Sequence, residues 1–199
     1  LRSMAGPYSR SKWKADALVR AAADAGFPAQ IVYPTVPIGA GDERMTAPTR
    51  MIALFAFSPP PFYLDCRMNV VPVDVVAEGI IRVAALPGSG GRFILGGRNV
   101  RLGELLAVIH QSGGAPPPRG RIPLALAKLA AALSDAVARH LTGKPPVASP
   151  EGVRLAAMNL WCDLARERRI LDLPDPPIQT AVAETIAWLK GVKGVKRKI

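Results

Sequence analysis

Gly6-Pro7-Tyr8-Ser9-Arg10-Ser11-Lys12 opens a helical pattern, and Tyr33-Pro34-Thr35-Val36-Pro37-Ile38-Gly39 closes the next strand. Apolar Trp13, Ala17, Leu18, Ala21 and Ala22 recur at helical spacing from Ser9 to Ala25. Gly26 ends that helix, with Pro28 just beyond. Ala29 to Tyr33 is a short β-rich run closed by Pro34. Helix, tight turn and strand in this order predict a parallel α/β sheet. Tyr8 and Lys12 are four residues apart, so a helix puts phenol and ammonium on one face. A free tyrosine titrates near ~10 and is a poor acid or base at neutral pH. A fixed positive charge beside it favours the phenolate, and such a tyrosine can exchange a proton with a hydroxyl or carbonyl. Tyr-x-x-x-Lys alone is weak evidence; it gains weight from the strand and loop motifs downstream.

Further along, Pro48 to Phe57 reads as a helix, and Ser58-Pro59-Pro60-Pro61 as a stiff break. Asn69 to Val73 predicts a second strand, with Asp74 standing where an N-cap belongs and a helix from Val75 to Leu86. Arg92 to Leu95 predicts a third strand, ended by Gly96-Gly97, and Leu102 to His110 a helix. After a Pro/Gly/Arg stretch from Gly113 to Pro123, the chain turns helical. The expected segments are Leu124 to Leu141, Glu151 to Trp161, Asp163 to Leu171 and Ile178 to Leu189.

Bulk properties limit the function classes. The chain has 199 residues, 49% hydrophobic and 21% charged, enough for a folded core. No apolar run reaches the ~18 residues of a membrane span, and Leu1-Arg2-Ser3-Met4 opens no leader-like run. Cys66 and Cys162 form no metal spacing and read as free thiols, which points to the cytoplasm. His110 and His140 stand at helix ends without ligand company, so no metal site is expected. Net charge is +11, with Lys190, Lys193, Lys196, Arg197 and Lys198 crowding the C-terminus. This tail reads as a solvated end, with membrane-surface contact as the alternative. It lacks interleaved aromatics, and no nucleic-acid motif is present.

Taken in order, the motifs resemble those of extended short-chain dehydrogenases/reductases, the NAD-dependent epimerase/dehydratase family. They look most like the hopanoid-associated sugar epimerases and dihydroflavonol-reductase-like proteins. The pieces carrying the likeness are Gly6 to Lys12, Tyr33 to Gly39, Asn69 to Ala77 and Arg92 to Gly97. The resemblance implies the C-terminal part of a doubly wound Rossmann-like fold with a small, mainly helical substrate domain. Residues 1–37 would be the distal part of the dinucleotide-binding domain. Residues 38–199 would form the substrate region, with 69–86 packing back on the sheet. It further implies Tyr8 as acid/base and Lys12 as its electrostatic partner on the nicotinamide ribose. The Pro34-Thr35-Val36 backbone would lie beside the nicotinamide of NAD or NADP. The implied substrate is a nucleotide-sugar or a small hydroxyl or carbonyl compound.

The departures are physical. In the family, a glycine-rich turn and a catalytic Ser/Thr lie well upstream of the tyrosine; here seven residues precede Tyr8. Ser3 is too near to replace that hydroxyl, and no G-x-x-G-x-x-G is present. The family's His-Val-Asp-Asp reads Pro72-Val73-Asp74-Val75 here. The expectation is therefore weak or absent NAD(P) binding by this chain alone. Two readings stand. One is part of an epimerase or reductase completed by an N-terminal half. The other is a non-catalytic relative that pairs its open sheet edge in a homo-oligomer or with a partner. Gly39, Gly41 and Asp42 read as a turn rather than a phosphate loop, Glu78 as solvated, and Arg67 as a surface arginine with a substrate phosphate as the alternative. Trp13, Trp161 and Trp188 read as packing residues. Phe55, Phe57, Phe62 and Tyr63 are open between core and pocket lining.

Overall fold

Helix α1 (Pro7–Asp24) starts on Gly6-Pro7, where proline's fixed φ suits the first turn and its missing N–H costs nothing. The computed structural model describes residues 6–138, 140, 143, 150–175 and 177–192. Gly26 closes α1 at φ +95, donating its N–H to Ala23 O, while Phe27 N–H reaches Ala22 O. A side chain is strained in that left-handed region, so glycine belongs there. The chain then enters β1 (Ile31–Pro34).

β1 pairs in parallel with β5 (Arg92–Leu95), and β2 (Val36–Ile38) pairs in parallel with β4 (Arg67–Pro72). At Thr35, between β1 and β2, the chain passes from one strand pair to the other, while Thr35 N–H still donates to Leu95 O at 3.1 Å. β6 (Arg98–Arg101) adds an antiparallel edge to β4. Helix α3 (Val73–Ala84) connects β4 to β5 and buries Val75, Val76 and Val83 against Val71, Phe93 and Leu95. This is the alternation of strand and helix that the sequence predicts.

A second core is helical. α2 (Ala47–Phe57), α4 (Leu102–Gln111) and α8 (Ile178–Gly191) meet around Ile52, Leu105, Ile109, Val182, Ile186 and Leu189, with Ile38 and Val70 contributed by the strands. α7 (Ala165–Leu171) lies on α3 and β5, and α5 (Leu124–Val137) packs against α6 (Pro150–Ala157). β3 (Phe62–Tyr63) and β7 (Gly120–Arg121) form a short parallel ladder.

Several expectations are corrected. Asp74 is not an N-cap: Pro72 caps α3, and Asp74 sits exposed in the first turn, where its charge faces the positive helix end. Glu78 pairs with Arg82 at 2.7 Å, and Arg82 donates to Leu171 O and Asp172 O, fastening α7 to α3. α6 ends at Ala157 rather than Trp161. β6 has no counterpart among the expected strands, because Arg-Asn-Val-Arg carries one apolar residue in four. Ser3, Leu141 and residues 193–199 of the basic tail lie outside the described residues.

One buried amide ties the strand ends together. Asn69 is 2% exposed. Its Oδ1 accepts from Thr35 Oγ1–H (2.8 Å) and Gly97 N–H (2.9 Å), and its Nδ2 donates to Asn99 Oδ1 (2.8 Å). Asn99 in turn accepts from Cys162 N–H at 3.0 Å and donates to Cys162 O at 2.9 Å. The approach is close: a Cβ at Gly97 would stand 2.5 Å from Val70 O. Removing the amide leaves buried groups without partners. Asn69→Ala is expected to destabilise the chain by about 2–3 kcal/mol, read as a lowered urea midpoint with unchanged slope.

Candidate active site

α1 carries a ladder of side chains four residues apart: Tyr8, Lys12, Asp16 and Arg20. Lys12 Nζ lies 5.7 Å from the centroid of the Tyr8 ring, so the two groups share a side of the helix as the sequence predicts. Tyr8 is 63% exposed. Asp16 pairs with Arg20 at 2.8 Å and accepts a hydrogen bond of 2.5 Å from the Tyr33 hydroxyl. That bond sets the ladder against β1. At the other end of the helix, Ser9 N–H and Oγ–H donate to Glu151 of α6. Both anchors are polar. α1 buries none of its residues, and Trp13 and Leu18 are exposed.

β1 delivers Tyr33, Pro34 and Thr35 to a cleft of about 470 Å³, completed by Arg92, Ile94, Cys162 and Glu167. This volume is in the range of small-molecule sites. Of the three expected nicotinamide neighbours, Pro34 and Thr35 line it; Val36 passes into β2. Tyr8 and Lys12 are not among the lining residues; they stand further along the ladder that Asp16 joins to Tyr33. Glu167 is buried, and its Oε1 accepts from Arg166 Nη1–H (3.2 Å) and Ile94 N–H (3.4 Å). Arg166 also donates to Arg92 O at 2.8 Å and covers the Phe93 ring. Burial pushes the Tyr33 hydroxyl above its ordinary range, and the hydrogen bond to the Asp16 carboxylate adds to this. Burial likewise raises the Cys162 thiol, with Glu167 adding to it. Cys66 is pushed up to about 11 by burial and by Asp65.

Other candidates settle into structural roles. Asp42 Oδ2 accepts from Thr46 N–H and Oγ1–H at 2.7 Å each, shaping the turn into α2. Burial works against its charge, yet hydrogen bonds from Thr46 and Thr49 hold the carboxyl below its usual range. Phe55 is in the helical core, Phe57 and Tyr63 pack on it, and Phe62 is exposed. Trp188 packs on that core; Trp13 and Trp161 are exposed, contrary to expectation. Arg67 lies over the Trp161 ring at 4.4 Å. His110 Nδ1 is 3.3 Å from Gly114 O, and His140 is exposed. No metal-ligating cluster occurs among the described residues. Sequence reasoning missed Asp16, although it continues the i+4 row. It also missed Asn69 and Glu167 as site-builders, and no pattern marks either one.

Known proteins share this architecture. The family model described as male sterility protein, an NAD-binding family, matches residues 1–80. A Synechocystis sp. protein described as "Putative dihydroflavonol 4-reductase" is 30% identical over 200 residues, covering 98% of this chain and 58% of that protein. The sterol demethylase protein B of Methylococcus capsulatus is 28% identical, covering 92% of this chain and 56% of that protein. A nucleoside-diphosphate-sugar epimerase structure from Pseudomonas aeruginosa superimposes with a TM-score of 0.75 at 22% identity, over 94% of this chain and 56% of that one. The chain thus resembles the extended short-chain dehydrogenase/reductase family, the NAD-dependent epimerase/dehydratase group, and has the Rossmann-like α/β fold of its epimerase structures. It spans a little over half the length of the curated relatives it matches.

The raised hydroxyl and thiols have measurable consequences. Because the folded Tyr33 titrates above the unfolded value, its contribution is complete below ~10 and is lost as pH rises through the folded value. An ultraviolet phenolate titration of Asp16→Asn should bring one tyrosine to lower pH than in the parent chain. In alkylation at neutral pH, Cys162 should react more slowly than a free thiol and Cys66 only on unfolding. Mass spectrometry after iodoacetamide treatment reads both.

Proposed function

We propose that this chain supplies the acid/base and substrate-side part of an NAD(P)-dependent epimerase or ketone reductase. The observation that carries this is the Tyr8–Lys12 pair on one side of α1, joined through Asp16 to the tyrosine that lines the cleft. In this reading Tyr8 Oη exchanges the proton of a substrate hydroxyl or carbonyl oxygen. Lys12 places positive charge where negative charge develops as that proton leaves. Pro34, Thr35 and Val36 lie along the nicotinamide end, with residues 1–37 as the distal dinucleotide-binding part and 38–199 as the substrate region. A bound nicotinamide supplies or accepts the hydride. The NAD-binding character of the matching family model and the cleft beside β1 and β5 support this end of the cofactor.

The other end fits less well. The 199-residue sequence contains no G-x-x-G-x-x-G motif for the pyrophosphate. In this reading, isothermal titration of the chain alone with NADH or NADPH gives no micromolar binding, and micromolar affinity contradicts it. The substrate class is a nucleoside-diphosphate sugar, a dihydroflavonol-like ketone or a sterol-like alcohol, the kinds of compound named for its relatives. A form carrying a glycine-rich nucleotide-binding unit ahead of residue 1 is the direct test. Tyr8→Phe there should lower turnover by about 10²–10⁴ and leave the circular dichroism spectrum unchanged. Retained turnover would make Tyr8 a scaffold residue. The exposed Trp13 and Leu18 of α1, a helix without a fully buried residue, favour a second reading, an interaction module that uses this helix to join a partner.

A further inference from the structure

Away from the cleft, α5 carries an uncovered apolar row. Leu126, Leu129, Leu133 and Val137 are spaced three, four and four residues apart, which puts them on one face of the helix. Each is between 45% and 60% exposed. The residues that α5 buries are Ala127 and Ala131, on a different face, and its main helix partner is α6. The row runs about 16 Å along the helix. No helix among the described residues is long and apolar enough to cross a membrane, so a lipid contact here would lie flat. The sequence on either side of α5 is basic: residues 113–161 hold six Lys/Arg against two Asp/Glu, a net of +4 within a chain of +11.

We propose that the α5 row seats this chain on an anionic lipid surface, the leucines entering the headgroup boundary while the basic charge is drawn to the lipid phosphates. An apolar helix face combined with positive charge is the physical signature of interfacial binding. Charge decides between this and a second copy of the chain. Two chains of +11 repel one another, whereas an anionic surface attracts each of them. The proposal is independent of the catalytic reading.

The test is flotation of the chain with vesicles of equimolar phosphatidylcholine and phosphatidylglycerol, and with vesicles of phosphatidylcholine alone. The expected result is retention on the mixed vesicles, weaker retention on the neutral ones, and loss of retention at high salt. Leu129→Ser with Leu133→Ser should lower the partition coefficient at least about tenfold, and Leu126→Ser with Val137→Ser should do likewise. The replaced side chains are exposed, so both variants should keep the parent's circular dichroism spectrum and melting temperature. No retention on the mixed vesicles, equal retention on both kinds, or retention unchanged in both variants would overturn the proposal. So would a dimer in sedimentation equilibrium that the variants abolish, without vesicle retention; that result would assign the row to a second copy.

Discussion

A hydrogen bond from the Tyr33 hydroxyl to the Asp16 carboxylate connects α1, the helix that carries Tyr8 and Lys12, to the sheet. α1 has no fully buried residue, so its hold on the sheet depends more on polar contacts than that of α3 or α4 does. A charge-assisted bond is stronger and more directional than a neutral one, so it can fix a helix rotation that packing leaves loose. Fixing the rotation at Asp16 also fixes Lys12 and Tyr8, one and two i+4 steps back along the same ladder. Ser9 and Glu151 secure the other end. The position of the proposed acid/base group relative to the cleft therefore rests on polar contacts.

The rest of the molecule is built differently. Val70, Ile52, Leu105, Val182 and Leu189 are fully buried and join strands to α2, α4 and α8 without help from α1. Asn69 then turns this packing into a defined cleft, because Thr35, Gly97 and Asn99 must converge on one amide. A rigid core carrying a helix without a fully buried residue is the arrangement expected to show low local stability along that helix and high stability elsewhere.

Much of this was legible in the sequence. The α1 turn at Gly26, strand β5 and helices α2, α3, α4 and α8 follow from apolar periodicity and glycine or proline punctuation. That Tyr8 and Lys12 share one side of α1 was legible because their spacing is set by the helix alone. Strand β6 was not, since an edge strand with one buried residue in four has no alternation to detect. Asp74 misled because an aspartate before a helical run suits both the N-cap and the first turn, and Pro72 took the cap. Asn69 and Glu167 gain their roles from contacts 28 and 73 residues away, which no local pattern encodes. The exposure of Trp13 and Leu18 was likewise invisible: periodicity says which face is apolar, not whether anything covers it.

Amide hydrogen exchange of the parent chain and of Tyr33→Phe decides whether the Tyr33–Asp16 bond positions α1. The variant keeps the ring and removes only the hydroxyl donor to Asp16. In the variant, α1 amides should lose protection while those of α4 and α8 keep theirs. Unchanged protection along α1 would contradict this and show that something other than this bond positions the helix.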